Sequence, residues 1–120
     1  MSSNFNILAR PDVKTRAFKS GDTIFSEGDA ATELYVVKSG KVGIRLGNRT
    51  LDTLGPNDIF GEMALIDSSP RSATAVAETD VEVVPVSEKQ FLFLVSETPF
   101  FALSVMRVLA KRLRTSNKAL

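Results

Sequence analysis

Turn signals recur about every ten residues through most of this chain, a spacing that leaves room only for short strands. They fall at Ser20-Gly21-Asp22, Glu27-Gly28-Asp29, Ser39-Gly40, Gly47-Asn48 and Gly55-Pro56-Asn57-Asp58. The segments between them, 13–18, 23–26, 34–37, 41–46 and 50–54, carry β-branched and aromatic residues or alternate polar with apolar. Alternation with period two is the mark of a half-buried strand. Two further strands are expected at 74–77 and 81–86, separated by Glu78-Thr79-Asp80. The pattern predicts an antiparallel all-β barrel or roll rather than a helical or α/β architecture.

The period then changes. Ser87, with Gln90 three residues on, forms a capping box ahead of an apolar run and predicts a helix over 88–95. Thr98-Pro99 fits a second helix start, since proline is well suited to the first helical position, and this helix should run over 99–118. Along it Ala102, Met106, Leu109, Leu113, Ser116 and Leu120 recur in steps of four and three, a heptad seam. Phe101, Val105 and Val108 make a second apolar flank. One flank can cover the β core while the seam meets a partner helix, as in a homodimer; alternatively both bury against the same domain. Arg107, Lys111, Arg112, Arg114 and Lys118 make this helix basic. A solvated face whose cations favour the helix C-terminus is the expectation, ahead of nucleic-acid contact. The expected whole is mainly β with flanking helices (α+β): one domain over 1–120, with the roll at about 13–86.

Composition narrows the chemistry. The 120 residues hold no His and no Cys, which removes an imidazole base, a Ser-His triad, His-ligated metal and thiolate chemistry. A net charge of +1 gives no strong pull toward nucleic acid or membrane. The start of the chain lacks a basic stretch followed by an apolar core, and no apolar run approaches the roughly 20 residues of a membrane span. A cytoplasmic location is therefore expected.

The densest chemistry lies at residues 60–75. Gly61 permits a tight turn and keeps a side chain out of a ligand's path. Glu62 beside it is an acceptor, suited to a sugar hydroxyl and unsuited to a phosphate. Met63, Ala64 and Leu65 could begin a single helical turn with free amides. Arg71, behind Pro70, offers a planar, permanently charged pair of donors that matches a phosphate. Ser72 adds a hydroxyl, and Ala73 is small enough for close approach to the backbone. Glu62 and Arg71 could simply pair with each other; the whole arrangement favours a cradle for a sugar and a phosphate. No base, nucleophile or metal set joins Glu62, so a binding module is expected, not an enzyme and with no cofactor.

The run Phe60-Gly61-Glu62-Met63-Ala64-Leu65-Ile66, then Pro70-Arg71-Ser72-Ala73-Thr74, resembles the phosphate-binding cassette of cyclic nucleotide-binding domains. Gly21 to Asp29 and Leu34 to Val42 resemble the early strands and glycine turns of that family, and Met106 to Thr115 the long helix of catabolite activator-type regulators. The resemblance implies a jelly-roll-like antiparallel β-roll followed by two C-terminal helices, the second long. It implies a cAMP or cGMP ligand, with Glu62 on the ribose 2′-OH. Arg71 would hold the cyclic phosphate, with Ser72 and amides of Gly61, Glu62 and Ala73. It puts Ser116 and Asn117 near the purine, one of them from a neighbouring subunit. Ser72 leaves cGMP open; cAMP is favoured. The regulators continue into a DNA-binding helix-turn-helix, whereas the sequence stops at Leu120, so the resemblance does not carry DNA binding. The rival reading is a structural roll that binds no nucleotide.

Overall fold

A computed structural model describes residues 14–67 and 69–119, with side chains as far as residue 113 except those of Ala64 and Asp67. Among the described residues eight strands form two antiparallel sheets. The first is ordered β1 (Arg16–Phe18), β8 (Val81–Ser87), β3 (Glu33–Ser39), β6 (Ile59–Phe60). The second is ordered β2 (Thr23–Phe25), β7 (Thr74–Ala77), β4 (Val42–Leu46), β5 (Arg49–Leu54). Helix α1 (Met63–Asp67) lies between β6 and β7, and α2 (Glu88–Glu97) and α3 (Pro99–Ala119) follow β8.

The expected strands are present with shifted ends. β1 begins at Arg16, and the expected start at Val13 lies outside the described residues. β6 is new: at two residues it is too short to show a period, yet it pairs with β3 through Tyr35–Phe60 and Val36–Ile59. α2 runs two residues further than its pattern suggested, to Glu97. Its start is the expected capping box: the Gln90 amide donates to the Ser87 hydroxyl, and the Ser87 amide donates to the Gln90 side chain.

Strands β3 and β8 organise the interior because both of their faces are covered. Tyr35, Val37, Val81 and Val83 point between the sheets and meet Val42, Leu54, Phe60, Ala75 and Ala77. Leu34, Val36, Val84 and Val86 point the other way and meet Ile59, Leu94, Phe101 and Val105 beneath α2 and α3. Each Val, Leu, Ile or Phe among them, fully buried, contributes about 1.5–3 kcal/mol. Phe91 meets Phe101 edge to face at 5.7 Å, closing the angle between the two helices.

The apolar flank of α3 is therefore the side that covers the roll: Phe101 and Val105 are buried, and Val108 packs partly against the same core. The seam is split. Leu109 packs partly on the core, whereas Met106 and Leu113 are exposed. Among the described residues no single helix is long and apolar enough to cross a membrane.

Candidate functional site

The site grows out of the turn between β6 and α1. Gly61 adopts φ +75°, in the left-handed region that favours glycine, and its carbonyl is left to accept from a side chain. Arg71 answers it. Its Nη1 donates to the Gly61 carbonyl at 2.9 Å and its Nη2 to the Glu33 carbonyl at 2.7 Å. A Cβ on Gly61 would lie 2.5 Å from Arg71 Nη1, so the glycine is needed for shape as well as for conformation. The backbone of Arg71 is fixed too: its amide donates to Asp29 O, and its carbonyl accepts from the Gly28 amide.

The guanidinium is stacked over Phe25, with Cζ 4.1 Å from the ring centroid, and lies 5.5 Å from that of Tyr35. Phe25, Tyr35 and Phe60 form a continuous aromatic floor with centroid separations of 5.3 to 6.1 Å. Arg71 is only 7% exposed. Its side-chain bonds go to neutral carbonyls, and its Nε–H has no partner among the described residues. Burial draws its pKa down, with nearby Tyr35 and Glu33 acting in the opposite direction. A permanent charge held this deep, with a donor to spare, has the chemistry to take an anion.

Glu62 is 3% exposed. Its ion pair is with Arg112 of α3, through Oε1, and not with Arg71. Arg112 also donates from Nη2 to the Ile59 carbonyl at 2.6 Å. The Glu62 carbonyl accepts from the Leu65 and Ile66 amides, so the Leu65 amide is not free as the sequence suggested. Sequence reasoning left Arg112 among the solvated cations of the long helix. The signal was there: Phe101, Val105, Val108 and Arg112 follow one another in steps of four, three and four, which puts the arginine on the buried flank.

The remaining expected residues divide. Arg71 is brought to Gly61, next to the buried Glu62, and Ala73 is buried just ahead of β7. Ser72 and Met63 are exposed beside them. Ser116 and Asn117 lie within α3, and their side chains, like that of Ala64, fall outside the described residues. Phe25, Glu33, Tyr35 and Arg112 were missed because each reaches the site across long stretches of sequence.

The chain matches the model of the cyclic nucleotide-binding domain over residues 15–98. It belongs to that family. It is thus a cyclic nucleotide-binding regulatory domain built as two antiparallel sheets with C-terminal helices. It is 40% identical over 115 residues to the cyclic AMP receptor protein of Thermus thermophilus, covering 92% of this chain and 53% of that protein. It is 39% identical over 90 residues to a cGMP-dependent protein kinase of Plasmodium berghei, covering 74% of this chain and 10% of the kinase. The crystal structure of the Thermus thermophilus catabolite activator protein superposes with a TM-score of 0.79 at 40% identity, covering 88% of this chain and 52% of that one. The chain therefore spans about half the length of the Thermus relative.

Proposed function

We propose that this domain senses a cyclic nucleotide, cAMP ahead of cGMP, and passes binding to its C-terminal helix. The observation that carries this reading is the buried Arg71 guanidinium, which has an unpartnered Nε–H and no carboxylate within ion-pair reach among the described residues. A cyclic phosphate supplies the missing anion, with the Ser72 hydroxyl and the amides of Gly61, Glu62 and Ala73 around it. The second oxygen of the Glu62 carboxylate serves the ribose 2′-hydroxyl, while Oε1 stays with Arg112. The purine then faces α3, where Ser116 and Asn117 are suited to its polar edge, one of them from a second copy. The 40% identity to a relative named for cyclic AMP supports this order of preference.

Ligand and helix meet at Glu62. Arg112 ties α3 to the same carboxylate that would take the sugar, so binding and helix position share one partner. Leu65, packed partly against the core that holds Leu94 and Phe101, gives the cassette a second grip on the helices. A ligand shifts α3 only by as much as its affinity differs between the two helix positions. The exposed Met106 and Leu113 of the seam offer α3 a partner helix in a homodimer.

Calorimetry of the chain against cAMP and cGMP tests the reading. Binding of either, lost by about 2–5 kcal/mol in Arg71→Ala, is the expected result. A chain that takes up neither nucleotide, or an Arg71→Ala variant that binds as the parent does, would leave a structural roll.

A further inference from the structure

Arg71 is itself held by a second arginine, at one remove. Glu33, the first residue of β3, accepts Arg71 Nη2 on its carbonyl and presents its carboxylate on the same face as Tyr35. Arg16, on the edge strand β1, donates from Nη1 to Glu33 Oε1 at 3.0 Å and to the Tyr35 hydroxyl at 3.2 Å. The Tyr35 hydroxyl donates to the same Glu33 oxygen at 3.0 Å. Three groups thus close on one another, and the closure fixes two of the groups that Arg71 meets: the Glu33 carbonyl and the Tyr35 ring.

We propose that Arg16, Glu33 and Tyr35 form a positioning clamp for Arg71 that sets which edge of its guanidinium faces the phosphate. The inference rests on the functional reading above. A guanidinium carries five N–H donors in a rigid fork. Two are spent on the carbonyls of Gly61 and Glu33, and the positions of those carbonyls decide where the remaining three point. Gly61 is fixed by its turn. Glu33 opens a strand, at an end that would otherwise fray, and Arg16 braces it from β1 across the sheet. Among the described residues Arg16 bonds to Glu33 and Tyr35 and not to Gly61, Glu62 or Arg71, so its influence on the ligand runs through what positions Arg71.

The test compares cAMP with adenosine, which keeps the base and ribose and lacks the phosphate. Arg16→Ala should weaken cAMP roughly 5- to 20-fold, the size of coupling seen between residues of one network, and leave adenosine unchanged in competition. Glu33→Gln, which keeps the backbone carbonyl and removes the charge, should act in the same direction. In an Arg71→Ala background, Arg16→Ala should have less than about a twofold further effect on cAMP. A parent that binds cyclic nucleotide beside an Arg16→Ala variant that binds equally well overturns the clamp alone. So does a loss shared equally by cAMP and adenosine, or one that persists in full without Arg71. A parent that binds no cyclic nucleotide overturns both readings.

Discussion

Replacing Arg112 by alanine should destabilise the domain through Glu62 more than through α3 itself. The pair is lopsided: the Glu62 side chain is 4% exposed and that of Arg112 34%. Breaking a fully buried pair from one side costs about 3–5 kcal/mol, because the remaining charge has no partner. Water reaches the arginine end of this pair, so the loss is smaller, about 1–2 kcal/mol. The bond to the Ile59 carbonyl adds about 1 kcal/mol. A total near 2–3 kcal/mol corresponds to a fall of roughly 10 °C in the thermal midpoint for a domain of this size. Circular dichroism melts of the parent, Arg112→Ala, Glu62→Gln and the double variant form a closed cycle. The double variant should recover more than half of the loss seen in Arg112→Ala, since the stranded charge has been removed. A double variant no more stable than Arg112→Ala would refute the reasoning, because the arginine would then matter for something other than that carboxylate.

Gly61→Ala should lose about 1–2 kcal/mol of stability from its left-handed φ and should weaken cyclic nucleotide binding as the new methyl pushes Arg71 aside; unchanged affinity would mean the guanidinium does not act from this position. Tyr35 is the sole tyrosine, so phenolate absorbance follows it alone. Burial, then the facing Glu33, raise its pKa above 10.0, against the opposing pull of Arg16 and Arg71. Raised pKa means stability that is present below pH 10 and lost as pH climbs through the folded value, and a titration midpoint at or below the ordinary one would contradict this. Leu113→Glu should convert a dimer to monomers in sedimentation while moving the thermal midpoint little, because Leu113 is exposed, whereas Leu109→Glu should also lower the midpoint, because Leu109 packs on the core; a monomeric parent would remove the seam as an interface.

What could be read from the sequence was local. The Ser87–Gln90 box and the turn glycines are properties of a few consecutive residues, and each appears in the structure where it was expected; β4 forms where its alternation predicted a strand, but burial falls along it from Val42 to Leu46 and does not alternate. Glu62 and Arg71 stood out because both sit in one dense run around Gly61. What surrounds them was harder. Arg112 lies 50 positions from Glu62, and Glu33 lies 38 from Arg71. No period connects such pairs; only the closing of two sheets and the return of α3 brings them together. The short β6 failed for the opposite reason, being too brief to display any period although its neighbours fix it firmly.

Leu34, Tyr35, Val36 and Val37 in β3 are all buried, and alternate between the two cores. A strand wetted on neither side has little freedom to drift. Neutral change in this chain should gather instead on β5, whose first five residues are exposed. Strand β3 is a party wall: helices lean on one side of it and the aromatic floor beneath Arg71 rests on the other. A nudge to either tenant is felt by its neighbour through a single layer of backbone.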